Sequence, residues 1–178
     1  LIMAKMNSLA DEDCINALYK ASKNNVKVLL NVRGICMLIP GEKNLSENIK
    51  VVSIVDRFLE HSRIFYFQNG GNEELYLSSA DWMPRNLERR LELMTPITDP
   101  VSQGKLGEIL RLQVQDNELA FELESDGEYH SIIKSEGEKV VNNQEFFEGY
   151  LNKIFKTMKK SSDQDKVQIL ASKLFKES

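Results

Sequence analysis

Cysteine and histidine are scarce in this 178-residue chain, with two of each. Cys14 and Cys36 are too few for a disulfide scaffold, and both stand among apolar residues, where a free thiol packs as a small hydrophobe. No Cys/His cluster has zinc-ligand spacing. With only His61 and His130 available, no Ser/His/Asp triad can be argued, and no paired-carboxylate site stands out. No apolar run approaches the roughly 20 residues that a membrane-spanning helix needs. Leu1-Ile2-Met3-Ala4-Lys5 does not read as a secretory signal, because no basic stretch leads into a long apolar one. An opening on Leu rather than Met reads as a piece cut from a longer protein. Neither sign of charge dominates: 23 Lys and Arg stand against 27 Asp and Glu, a net −4. That balance argues against a general nucleic-acid binder and leaves room for a local basic pocket that takes a polyanion.

What is present suits one globular domain with a real core, at 42% hydrophobic and 28% charged residues. Leu1–Met6 reads as a strand. Asp11 or Ser8 can cap the following helix, which carries Ile15 and Leu18 and ends near Asn24-Asn25. Val26–Val32 is a nearly continuous apolar strand, as expected for a strand buried on both faces, and the order implies a βαβ unit with a parallel sheet. The loop Arg33–Gly41 then leaves the C-terminal end of that strand, where open α/β sheets bind ligands. Ile49–Ser53 reads as a strand, Ile54–Glu60 as one or two helical turns, and Arg63–Gln68 as extended chain. A tight turn at Asn69–Asn72 leads into Glu74–Ser79, which pairs back as a hairpin. Pro84 suits a first helical turn, and Arg90–Thr95 reads as a further strand that Pro96 and Pro100 break. Val101–Leu112 reads as a helix. Gln113–Leu123 and Tyr129–Ile133 form a small antiparallel element. Asn143 caps a long helix over 144–160, and a last helix runs over 163–177. One domain is expected, with a core over residues 1–143 and a helical tail over 144–178.

His61 is the principal candidate for chemistry. It precedes a strongly apolar strand and stands two residues before Arg63, a spacing that puts both side chains on one face of extended chain. An imidazole beside a guanidinium suits phosphate: the fork orients and neutralises the oxygens, and the ring attacks or exchanges protons near neutral pH. The ordinary reading stays open on spacing alone: a strand-end His bonded to a backbone carbonyl, with Arg63 paired to Glu60. Arg33, between a buried strand and Gly34, is either a ligand group or a rim salt bridge. Arg85, Arg89 and Arg90 add positive charge nearby or form a solvated helix face. Asn69-Gly70-Gly71 lacks phosphate-loop spacing and reads as a turn. His130 reads as incidental.

The stretches Val32–Gly41 (VRGICMLIPG), Leu45–Gly71 and Leu75–Arg90 resemble the C-terminal catalytic region of the bacterial polyphosphate kinase family. Ala4–Ser22 is similar to the same family, and the likeness runs through Thr95–Pro100 and more loosely to residues 143–145. The resemblance implies an α/β fold, a phospholipase-D-like mixed sheet flanked by helices, with a C-terminal helical extension. It implies reversible transfer of the terminal phosphate of ATP onto inorganic polyphosphate, with this domain supplying half of the active site. The phosphohistidine formed in turnover and the main Mg2+ ligands belong, in the family, to the preceding domain. Onto this chain carry Arg33 of the VRG motif and His61 of the EHSR motif, both as contacts to the ATP phosphates. His61 also helps the leaving oxygen, by protonating or positioning it. Arg63 and Arg85 are further candidates for phosphate contact. ATP or ADP, polyphosphate and the preceding domain are the implied partners, with no nucleic acid. A homo-oligomeric parent in the cytoplasm, or at the inner membrane surface, is expected.

The phospholipase D pattern, His-x-Lys with an Asp seven residues after the His, is departed from: Arg63 replaces the Lys and Gln68 the Asp. That favours phosphate transfer over phosphodiester hydrolysis. Two alternatives remain: a phospholipase-D-type phosphodiesterase and a non-catalytic polyphosphate-binding module. The isolated chain is expected to fold without kinase activity.

Overall fold

A computed structural model describes residues 1–160. The helix expected over 163–177 lies outside the described residues. Eight strands form one mixed sheet in the order β6-β5-β4-β1-β2-β3-β7-β8. Its centre is parallel: β1 (Ile2–Met6) pairs with β2 (Val28–Val32), and β2 with β3 (Ile49–Ile54). On one side, β4 (Ile64–Phe67), β5 (Glu74–Ser78) and β6 (Met94–Pro96) add on antiparallel. On the other, β7 (Ala120–Leu123) and β8 (Tyr129–Ser131) do the same. This is the α/β mixed sheet that the sequence implied.

The two faces of the sheet bury separate cores, because successive side chains of a strand point to opposite sides. One face sends Ala4, Met6, Val28, Leu30, Val32 and Val51 against Ile15 and Leu18 of helix α1 (Glu12–Lys23). Asp11 starts α1: its Oδ1 accepts from Cys14 N at 2.9 Å, satisfying a free first-turn donor. Asn25, at φ +59°, follows its end. The other face sends Met3, Ile64, Tyr66 and Leu75 against Leu110 of helix α3 (Pro100–Gln115). Helix α2 (Pro84–Arg89) begins on its proline, and helix α4 spans Asn143–Lys160.

Four expectations need correction. Residues 55–60 form no helical turn, because the backbone N–H and C=O of Phe58 are both taken by the Gln144 side chain, each at 2.8 Å. The strand expected over 90–95 shrinks to Met94–Pro96, with Leu91 fully exposed before it. Pro96 is the last residue of this strand and still pairs with Tyr76, which an edge position allows. Residues 113–115 continue α3, and β7 with β8 extends the main sheet from β3 instead of standing apart. Finally, Asn142 rather than Asn143 caps α4: its Oδ1 accepts from Glu145 N at 3.0 Å. Asn143 instead donates its N–H and its Nδ2 to Asp116 Oδ2, each at 2.8 Å.

Candidate functional site

The C-terminal ends of β1, β2 and β3 carry a cluster of charged and amide side chains. β1 runs into Asn7 and β2 into Arg33, whose N–H donates to Met6 O at 3.3 Å. Gly34 N donates to Asn7 O at 2.8 Å, and a Cβ at position 34 would lie 2.9 Å from that same oxygen. Glycine in the VRG motif is therefore required by close backbone approach. Ser53, near the end of β3, donates its hydroxyl to Arg33 O at 3.3 Å. The backbone of Arg33 is thus fixed from both neighbouring strands. Among the buried polar atoms without a protein partner are Arg33 Nη1, both amide atoms of Asn31 and Gln113 Oε1.

His61 lies in the irregular segment between β3 and β4, and it is exposed. Among the described residues no hydrogen bond or ion pair holds its ring, whereas its backbone is held. Lys5 Nζ donates to Glu60 O at 3.1 Å and reaches Ser62 O at 3.5 Å. Arg63 Nη1 donates to His61 O at 3.2 Å. The Asn7 amide satisfies its neighbours with its nitrogen 2.9 Å from Glu60 O and its oxygen 3.1 and 2.9 Å from Arg63 Nε and Nη2. The Glu60 carboxylate accepts from Gln113 Nε2 of α3 and Gln144 Nε2 of α4, each at 3.0 Å. A loop without a strand ladder is held instead by side chains from β1, α3 and α4.

Residues 61–63 precede β4, so strand alternation does not set how the His61 ring lies relative to Arg63. Its guanidinium turns to Asp81, with Nη2 to Oδ2 at 3.0 Å and Nε to Oδ1 at 3.2 Å, so the expected pairing to Glu60 is replaced by Asp81. Asp81 Oδ1 also accepts Asn7 N at 2.7 Å and Ser8 N at 3.3 Å. Burial opposes its charge, yet the Arg63 and backbone donors hold its carboxyl below the usual range. Next to it, Trp82 stacks on Phe65, with ring centroids 4.8 Å apart. Arg85 is exposed on α2, and no hydrogen bond or ion pair among the described residues joins it to His61. His130 is exposed on β8, where Nε2 lies 3.2 Å from Asp126 Oδ2, far along the sheet from this cluster.

Lys5 is the residue that sequence reasoning missed. It has no exposed surface, and burial pushes its ammonium down to about 8. Glu60 and Asp81 pull it back up, while Arg33 and Arg63 push it further down. These four charged groups therefore surround one buried cation beside the His61 loop. The signal in the sequence was a lysine inside an apolar strand, between Ala4 and Met6.

The residues at this centre do not fit a divalent cation. Among the described residues no three His, Cys, Asp or Glu side chains gather as a metal site. Glu60 and Asp81 are occupied by amide, guanidinium and backbone donors. The cysteines are equally remote from chemistry: burial raises Cys14 to about 12 and Cys36 to about 11, far from the thiolate form. Among the described residues no helix is long and apolar enough to cross a membrane.

The domain is thus a mixed α/β sheet with an exposed His and a group of cations at the C-terminal edge of its parallel strands. Comparison with known proteins gives its family. Residues 1–144 match the polyphosphate kinase C-terminal domain 2 family. The chain is 55% identical over 177 residues to polyphosphate kinase of Campylobacter jejuni subsp. doylei, covering 99% of this chain and 25% of that protein. Polyphosphate kinase of Rhodopirellula baltica is 51% identical over 144 residues, 81% of this chain and 17% of that one. A crystal structure of polyphosphate kinase from Porphyromonas gingivalis superposes with a TM-score of 0.81 at 42% identity, over 88% of this chain and 24% of that chain. The chain belongs to the polyphosphate kinase family, as its C-terminal domain 2, and its fold is phospholipase-D-like. It spans about a quarter of the length of the curated relatives that it matches over nearly its whole length.

Proposed function

We propose that this chain supplies one wall of a phosphoryl-transfer site, in which a longer enzyme moves the terminal phosphate of ATP reversibly onto inorganic polyphosphate. The observation that carries the reading is the presentation of His61. Its ring is exposed, while the carbonyls of residues 60, 61 and 62 are all engaged by side chains of the fold. A ring carried on a backbone so held can meet a phosphate with little rearrangement of the loop, the condition under which positioning lowers a barrier. Among the described residues one Arg33 guanidinium nitrogen, itself buried, has no partner, which leaves this side chain a donor for the charge on the transferring group. His61 protonates or positions the leaving oxygen. Arg63, with every nitrogen facing a protein acceptor, braces the loop. Arg85 offers an exposed cation to a longer polyanion.

The preceding domain of the parent chain supplies the phosphohistidine and the Mg2+ ligands in this reading, and ADP is the substrate of the reverse reaction. The parent works as a cytoplasmic homo-oligomer or at the inner membrane surface. This chain forms one domain of it, whose core over residues 1–143 reaches into the helical tail through Gln144. The test is made in the full-length protein. His61→Ala and Arg33→Ala each lower ATP-dependent polyphosphate synthesis by about 100-fold or more. The 178-residue chain alone shows no turnover. Near-normal synthesis by both folded variants overturns the reading. Hydrolysis of a phosphodiester that is lost on His61→Ala replaces it with a phosphodiesterase. Salt-sensitive polyphosphate binding without turnover by the full-length protein replaces it with a binding module.

A further inference from the structure

The geometry points to Lys5 as a positioning residue for His61, one that sets the ring by gripping the backbone on both sides of it. The inference rests on the phosphoryl-transfer reading of His61. Lys5 sits in the middle of the sheet, paired to Asn31 of β2 and Ile64 of β4, with no exposed surface. A buried ammonium normally bonds a carboxylate. Here both hydrogen bonds go to backbone carbonyls, those of Glu60 and Ser62, which flank His61 in the chain. Among the described residues no other side chain is hydrogen-bonded to both flanks: of the carbonyls of residues 60–62, Asn7 reaches that of Glu60 and Arg63 that of His61. The segment lies outside every strand and helix, so no backbone ladder fixes it.

The energetics point the same way. Burial lowers the Lys5 ammonium to about 8, so its charge is costly to the fold at neutral pH. A methionine of similar length would fill the space without that cost. Retaining a cation there gains two directed hydrogen bonds, and both end beside the proposed catalytic ring. Lys5 touches no reacting atom. It acts through the loop.

The test uses Lys5→Met and Lys5→Gln, with Lys50→Met as a surface control that removes only the exposed Lys50–Glu122 ion pair. In the full-length enzyme, both Lys5 variants lose roughly 100-fold in kcat, as expected for a displaced catalytic group, while KM for ATP stays within about three-fold. In the 178-residue chain, the imidazole NMR signals of His61 shift or broaden. Those of His130, the only other histidine, stay in place as an internal reference. The Lys50 variant changes neither readout. A folded Lys5 variant with kcat within about two-fold of the parent overturns the inference. So do His61 signals that do not move. Loss of fold in both variants overturns it as well, by assigning Lys5 to the core. If His61→Ala itself retains synthesis, the phosphoryl-transfer reading fails, and the His61 signals still report whether Lys5 holds the loop.

Discussion

Arg63 and Asp81 meet in a two-point ion pair, Nη2 to Oδ2 at 3.0 Å and Nε to Oδ1 at 3.2 Å, with only 15% and 9% of their side chains exposed. The third nitrogen of the guanidinium reaches His61 O at 3.2 Å. Asp81 in turn gathers the N–H groups of Asn7 and Ser8 at the end of β1. One carboxylate therefore joins the hairpin β4–β5, the end of the central strand and the His61 backbone.

That pairing gives a stability prediction. Asp81→Asn leaves Arg63 nearly buried without a counter-charge, and costs about 3 kcal/mol by urea unfolding at pH 7. The Asp81 carboxyl is held below its unfolded value, so the folded state binds fewer protons there. Its contribution is present above the ordinary Asp range and is lost as pH falls through the lower folded value. The gap between the parent chain and Asp81→Asn therefore narrows on acidification below pH 4. A gap that is unchanged from pH 7 to pH 2 contradicts the argument.

Gln144 leads to a second expectation. Its amide donates to Phe58 O at 2.8 Å and to Glu60 Oε1 at 3.0 Å, while its oxygen accepts from Phe58 N at 2.8 Å. Gln144→Ala leaves a backbone N–H and a carboxylate short of partners, and lowers stability by roughly 1–3 kcal/mol. The amides of residues 58–62 exchange with solvent faster, while those of β1 and β2 do not. Uniform acceleration across the sheet would mean that Gln144 serves the whole core rather than the His61 loop.

The contrast between β2 and the His61 loop shows what the sequence could tell. Val28–Val32 was legible as a buried strand because its apolar run is local, and the β4–β5 hairpin because a Gly-Gly turn follows an aromatic strand. Pro84 and Asp11 announced their helices through the groups that cap or open them. Residues 55–60 misled because their local pattern permits a helical turn, while a side chain 86 positions away takes the backbone groups of Phe58. No window along the chain contains that pairing. Lys5 was hidden for a related reason: a lysine within a strand ordinarily faces water, and only the neighbouring strands show that this one does not. His61 and Arg33 were named from spacing and resemblance. The lattice of amides and charges that holds them was not.

Gly34 permits a geometric test. A methyl group at this position would stand 2.9 Å from Asn7 O, nearer than real side chains approach, and the obstacle is backbone. Gly34→Ala must push the Arg33 loop away from β1 and weaken the Gly34 N to Asn7 O bond. The expected loss is about 1–3 kcal/mol, typical of forced overpacking. In the full-length enzyme KM for ATP also rises, because Arg33 moves with its neighbour. Unchanged stability and KM would show that the loop can shift at no cost.

Lys5 gives the last prediction: its pH slope has the same sign as that of Asp81, but here the charged form is the costly one. The folded ammonium titrates near 8, against about 10.4 for an unfolded lysine. Below pH 8 both states are protonated, and the folded chain bears the full cost of a buried charge. Between the two values the unfolded chain binds more protons, so stability gains with pH. Comparing the parent chain with Lys5→Met cancels the other alkaline titrations, those of the tyrosines and exposed lysines. The difference in unfolding free energy, parent minus variant, should climb by up to about 3 kcal/mol between pH 8 and pH 10.5. A flat difference over that range would mean that the ammonium is not desolvated. A falling one would mean that a carboxylate in the folded state binds it more strongly than burial penalises it, which the two carbonyl contacts argue against.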